Sequence, residues 1–426
     1  MNPLQTKALQ NSMWTYPWDV LDLGPDQVVE EITQQAGVGG ISLAAVYHAG
    51  RFLQPRSPKR HVYFPEDGTV YFHVTPSAYE RIRIQPKVAS LLEQGDALRM
   101  LQERAEKKGF RLNAWVVGLH NTRIGMAYPD VTVQNAFGDH YYYNLCPSQP
   151  DARQYVTTLL RDLTTHYELS AVELESFNYM GYYHEFHHEK DGVGLTERDQ
   201  FLLSLCFCDR CKQEARKQGV PIDLAQATVR RWLEESLNRP VPAPDPGFSR
   251  QGLEQFGSHP EVFEYLQWRA GVVTSLIQEI RDAVPVRTDV YFLSLLTPQQ
   301  SWLFGVDFSA IAKVADGIVV CCYDSSPAQV EADMKASVDQ VKGPGFCGHG
   351  AGHKGPEAQE GADTRKRVFT GLRVFYPEVH DGQELAEKVS GAVRAGSDGF
   401  VFYNYGLIPA PRLRWVKDSL DRAQKA

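Results

Sequence analysis

The chain has 426 residues, 43% of them hydrophobic, which is enough to fill one large barrel core or two smaller ones. A formal net charge of −8, with basic residues scattered in short groups such as Lys59-Arg60 and Arg365-Lys366-Arg367, excludes a general nucleic-acid surface. No run reaches the ~18 apolar residues of a membrane span, and Met1 to Asp22 lacks a basic segment followed by an apolar one. The expectation is a cytoplasmic protein acting on a small neutral partner, without nucleic acid or membrane, and with a homo-oligomer left open.

Strand-like apolar runs alternate with helical stretches, the order of βα units. The first strand is expected over Met13 to Trp18, followed by a helix near Asp26 to Gln35, and the second over Ile41 to Tyr47. A long excursion, about 49–111, holds the Gly/Pro-punctuated run Pro55 to Thr75. Strand three is expected over Leu112 to Leu119 and strand four over Ala171 to Phe177, with a helix over Ala152 to Tyr167 between them. A second excursion, about 178–260, carries helices near Thr196 to Gln218 and Leu224 to Leu237, joined by the Pro-rich Arg239 to Gly247 to a helix over Glu261 to Ala283. Strands five to eight are expected at Arg287 to Leu293, Gly317 to Tyr323, Leu372 to Tyr376 and Gly399 to Tyr405. Eight repeats predict one (β/α)8 TIM barrel spanning 1–426, with long insertions after strands two and four, in preference to the alternative of a doubly wound sheet. Continuous apolar runs such as Gly317-Ile318-Val319-Val320 suit helix-covered parallel strands.

A barrel carries its chemistry where strands run into the following loops. Those positions hold Trp14, His48, His120, Asn121, Glu173, Glu175, Asp324, Glu378, Tyr403, Asn404 and Tyr405. Acids, histidines and aromatic rings together suit a sugar pocket. Glu173 and Glu175 are two apart and therefore share one face of a strand. Glu175 lies nearer the mouth, where desolvation would raise its pKa toward that of a general acid. Glu378 and Asp324 compete for the second carboxylate. His48, His120, Asn121, Trp14, Glu173, His184, Asn404 and Tyr405 are the candidates for holding substrate; burial in the core competes with a platform role for Trp14 and Trp115.

Cys206, Cys208 and Cys211 fall within six residues and, with Cys146 as a distant fourth, could close a tetrahedral thiolate shell around a structural Zn²⁺. Cys321 and Cys322 read as core. His184-Glu185-Phe186-His187-His188 formally matches H-E-x-x-H, but its surroundings read as a loop over the mouth rather than the helix that motif requires. Gly348 to Gly355 reads as a glycine-rich loop after strand six. There is no organic-cofactor motif.

The cysteine set resembles that of the zinc-containing bacterial β-galactosidases of glycoside hydrolase family 42, in which one upstream cysteine joins a later C-x-C-x2-C. Gln134-Asn135-Ala136-Phe137-Gly138 and Leu145-Cys146-Pro147-Ser148 are similar to runs in related barrel proteins grouped with glycoside hydrolases. The resemblance implies a strand-four acid/base, falling on Glu175, and a strand-seven nucleophile, falling on Glu378. It departs at Leu174, where the galactosidases carry Asn, and the chain has no length for that family's later domains. The expected function is hydrolysis of an O-glycosidic bond in a small glycoside or oligosaccharide. A catalytically inactive carbohydrate- or protein-binding barrel and a metal-dependent amidohydrolase-like enzyme are the alternatives; the latter lacks its usual early H-x-H.

Overall fold

The computed structural model describes residues 9–184, 188–323, 325–343 and 366–425. Its centre is a closed ring of eight parallel strands: β1 (Ser12–Thr15), β2 (Gly40–Tyr47), β3 (Arg111–Val117), β4 (Ala171–Glu175), β5 (Asp289–Ser294), β6 (Gly317–Cys321), β7 (Arg367–Arg373) and β8 (Gly399–Tyr403). Each pairs with its sequence neighbour, and β1 closes the ring against both β2, through Met13↔Ile41, and β8, through Ser12↔Val401. Closure leaves no edge strand within the ring. No helix among the described residues is long and apolar enough to cross a membrane.

Side-chain alternation divides the core in two. Val172, Leu174, Val290, Phe292, Ile318 and Val320 pack outward against the helices. Residues of the other parity, among them Ala171, Tyr291, Leu293, Val319 and Cys321, fill the barrel with Trp14 and Trp115. Glu173 and Glu175 have this inward parity. In β2 the register slips between Ala44 and Val46. The extra residue puts Val46 with the outer core and swings Tyr47 into the interior.

The insertions after β2 and β4 are as expected. The first holds a small hairpin, Phe52–Leu53 with Val62–Tyr63, and the second the helices Glu197–Leu203, Asp209–Lys217 and Ile222–Leu237. Three local expectations are corrected and one element is added. Strand one stops at Thr15 because Pro17 starts a helix, Pro17–Leu23, with Tyr16 before it. Strand seven begins five residues early, at Arg367, which pairs with Gly317, and ends before Tyr376. The helix expected over Thr196 to Gln218 is broken at 204–208, where Leu205 to Cys208 are buried. The link from β3 to β4 carries an unanticipated hairpin, Thr132–Gln134 with His140–Leu145.

Asp398, just before β8, accepts hydrogen bonds from Lys342 Nζ at 2.5 Å and Val368 N at 2.7 Å, fastening the helix Pro327–Lys342 to the barrel. Both side chains are almost wholly buried. Asp398→Ala is expected to cost about 3–5 kcal/mol by removing one partner of this buried ion pair. A urea midpoint within error of wild type would contradict this role.

Candidate active site at the barrel mouth

Glu173 sits deep on the barrel axis. Its carboxylate accepts from Trp14 Nε1 at 2.7 Å, Ser42 Oγ at 2.7 Å and Asn113 Nδ2 at 2.9 Å, gathering β1, β2 and β3 around β4. Burial raises its pKa, and the three donors oppose the rise. Trp14 is fully buried, so this indole is a wall and a donor rather than an open platform.

Glu175 lies one pleat higher, partly open to solvent. Trp115 Nε1 donates to Oε2 at 2.5 Å. Burial pushes the carboxyl up to about 7, and this one hydrogen bond is too little to offset it. No second carboxylate among the described residues interacts with it. A carboxyl with this pKa is poised to exchange a proton near neutrality.

Around it stands an aromatic bowl. Tyr16 Oη lies 3.1 Å from Tyr47 Oη and 2.8 Å from Tyr403 Oη, joining three tyrosines from three strand ends. Burial raises the pKa of each, so all three stay protonated hydroxyls at neutral pH. Tyr16 stacks on Trp18 at 4.4 Å, and Trp115 lies 6.0 Å from Tyr403. A cleft of ≈ 620 Å³ opens beside the bowl over β5 to β7, with Cys321, Tyr323, Gln300 and Arg373 in its wall.

Glu378 lies five residues past β7 and turns back to pair with Arg373, whose guanidinium is 4.4 Å from the centre of the Tyr323 ring. One carboxylate oxygen, Oε2, is buried without a hydrogen-bond partner. Asp324, the other candidate second acid, lies outside the described residues, as do Glu185 to His187, Cys347 and the Gly348 to Gly355 loop.

His48, His120 and His184 leave β2, β3 and β4 and come together, with ring centres 4.3 Å apart for the first pair and 4.4 Å for the second. Burial lowers all three pKa values, His184 to about 4, and the neighbouring imidazoles lower those of His120 and His184 further. They are neutral at pH 7, each ring having one donor and one acceptor nitrogen, and His48 spends its donor on Ala49 O at 2.6 Å. Asn121 is buried and its Oδ1 caps the helix Thr122–Ala127 through Ile124 N, at 2.9 Å. Asn404 Oδ1 accepts from Gly406 N at 3.0 Å, while its buried Nδ2 has no partner. Tyr405 points its hydroxyl to Glu31, at 2.7 Å, beneath the Arg56 guanidinium. The mouth therefore gathers Glu175, the histidines and Tyr403, whereas Asn121 and Tyr405 spend their polar atoms on local structure.

Sequence reasoning missed Tyr16, Tyr47 and Arg373. Tyr47 ends a predicted strand, but its inward direction depends on the bulge. Arg373 was hidden by the misplaced start of strand seven.

No family model matches the sequence, and no curated protein matches it. Solved structures do. The chain is similar to an α-L-fucosidase, isoenzyme 2, from Paenibacillus thiaminolyticus, with a TM-score of 0.52 and 11% identity over 98% of this chain and 49% of that one. It thus spans about half the fucosidase's length. The glycoside hydrolase domain of PgaB (BpsB) from Bordetella bronchiseptica gives a TM-score of 0.54 and 15% identity, over 97% of this chain and 99% of that one. At such identities the shared feature is the barrel itself.

Away from the mouth, Cys146, Cys206, Cys208 and Cys211 are all buried, and their sulfurs lie within 4.8 Å of one another. Cys146 Sγ is 3.5 Å from Cys211, 3.7 Å from Cys206 and 3.8 Å from Cys208. Four sulfurs bound tetrahedrally at ~2.3 Å from one ion would be about 3.8 Å apart. Ser148 N and Gln149 Nε2 point at these sulfurs. The wholly buried Arg269 stacks over Tyr179, at 4.3 Å, with Nε and Nη2 unpartnered. A four-thiolate metal centre carries net negative charge, which would balance this cation. The quartet thus fits a thiophilic metal. Elemental analysis is expected to find about one such ion per chain, and Cys206→Ser or chelation to remove it and lower Tm. A metal-free chain with unchanged Tm in chelator would contradict this.

Proposed function

We propose that this chain hydrolyses the O-glycosidic bond of a small glycoside or oligosaccharide, with Glu175 as general acid/base. The observation that carries the reading is one carboxyl at the mouth of a barrel, pushed up to about 7 by burial and set among rings and neutral hydrogen-bonding groups. Protonated Glu175 donates to the leaving oxygen, and its carboxylate then takes a proton from water. Aromatic faces meet the apolar faces of a sugar ring, and the histidines and Tyr403 read its hydroxyls. The names of both solved neighbours, a fucosidase and a glycoside hydrolase domain, support this class.

Glu378 is the second carboxylate in this reading, acting as nucleophile or as base toward water. It pairs with the Arg373 guanidinium, which stands in the wall of the cleft beside the bowl. Asp324 is the alternative. The cysteine quartet is assigned to a structural Zn²⁺, in keeping with the resemblance to family 42; galactoside specificity is not part of the proposal.

With a panel of 4-nitrophenyl glycosides, wild type should cleave at least one member, and Glu175→Gln should slow that cleavage by about 10²–10⁴-fold. The acid-dependent rate should fall as pH rises through about 7. Stability follows the same sign. The folded chain keeps this proton up to about pH 7, while an unfolded glutamate releases it near ~4.3, so the contribution is full below the lower value and lost above the higher. Glu175→Gln should therefore gain stability relative to wild type at pH 8 and not at pH 4. Equal, pH-independent activity in both proteins would sink the assignment. A panel left uncleaved would favour the inactive binding barrel.

A further inference from the structure

A second hollow, of ≈ 160 Å³, lies between the segments leaving β4 and β5. Ser176, in its wall, directly follows Glu175, and His184, also in its wall, packs against His120 of the mouth with ring centres 4.4 Å apart. Ser176 has a φ of 57°, a left-handed conformation uncommon outside glycine, at the turn out of β4. On the β5 side, Gly305, with a φ of 68°, closes the short helix Ser301–Phe304 that carries Phe304 into the wall.

The walls are mainly apolar, formed by Met180, Tyr183, Leu295, Leu296, Phe304 and Val306, with the His184 imidazole among them. Tyr183 and Phe304 are stacked at 6.2 Å, inclined by 28°. Tyr183 and Leu295 remain substantially exposed, so the apolar surface continues to the rim. The neighbouring polar groups direct donors to nearby backbone carbonyls. Ser294 Oγ donates to Leu296 O at 2.6 Å, Asn178 Nδ2 to Tyr179 O at 2.6 Å and Ser301 Oγ to Val306 O at 2.8 Å. With those three donors spent, Ser176 and His184 are the polar side chains left in a mainly apolar wall, and an apolar cavity of ~150 Å³ is large enough for benzene. A sugar hydroxyl buried there would lose hydrogen bonds; a flat aromatic ring would not.

We propose that this hollow is an aglycone subsite for a single aromatic ring, making aryl glycosides the substrate class; the assignment rests on the hydrolase reading above. The bond between the anomeric carbon and the aryl oxygen breaks, and Glu175 gives its proton to that oxygen, releasing a phenol. Water supplies the hydroxyl left on the sugar and returns a proton to Glu175. The ring is held by the Tyr183–Phe304 pair and by Leu296 and Val306.

The test separates ring binding from catalysis. Full-length wild type, Val306→Phe, Leu296→Trp and Glu175→Gln are titrated with 4-fluorophenol and followed by ¹⁹F NMR. Saturable binding is expected in wild type and Glu175→Gln, and binding weaker by about ten- to a hundred-fold in the two filled variants. Two filling positions are used because either substitution alone could unfold the chain. The filled variants should also raise KM for a cleaved phenyl glycoside while leaving that for its methyl counterpart near wild type. If wild type cleaves glycosides but binds 4-fluorophenol no better than the folded filled variants, the aryl subsite is wrong and the hydrolase stands. If the ring binds as described but no glycoside is cleaved, the aglycone assignment falls with the hydrolase reading, and only a ring-binding hollow survives.

Discussion

The structure of the mouth depends on how the barrel is filled. Eight short strands bring side chains of one parity to a common axis, and here many of these are aromatic rather than small. Trp14, Tyr16, Tyr47 and Trp115 occupy volume that water would otherwise take, and Trp14, which donates to Glu173, packs against Trp115, which donates to Glu175 above it. Glu173, held by three donors, is a strut between four strands. Glu175, held by one, is left with a high proton affinity. Two carboxylates on one strand face thus acquire different chemistry from the number of donors each receives.

The cysteine quartet supplies a second, independent anchor. Cys146 ends the hairpin region after β3; Cys206 and Cys208 lie in the break between two helices of the insertion after β4, and Cys211 lies in the first turn of the second helix. Their contact brings the link between β3 and β4 against the insertion after β4. Tyr179, in the segment leaving β4, approaches Cys211 Sγ at 3.8 Å, and the Arg269 packed on its ring donates to Leu303 O. The cysteine cluster is therefore in contact with the segments that form the hollow.

The strand count, the ring and the two longest insertions were legible because buried parallel strands write themselves as apolar runs between helical periodicities. The inward sharing of Glu173 and Glu175 followed from a period of two. The cysteine quartet was legible from spacing because thiolate coordination has few other signatures. What sequence could not carry was direction and register. One slipped residue in β2 decides that Tyr47 rather than Val46 faces the mouth, and a strand seven starting at Arg367 makes Arg373, not Tyr376, its last residue. Asn121 and Tyr405 sat at the right chain positions for substrate contact, yet a helix cap and a buried Glu31–Arg56 cluster claimed their polar atoms.

The central claim is that burial makes Glu175 a proton donor near neutral pH. Its most direct test is a ¹³C NMR titration of the glutamate side-chain carboxyls, with the Glu175 resonance assigned by its absence in Glu175→Gln. The account predicts a midpoint near 7 for that signal. A midpoint at the ordinary glutamate value, about 4.3, would show that the aromatic bowl does not desolvate this carboxyl and would remove the physical basis for its acid role.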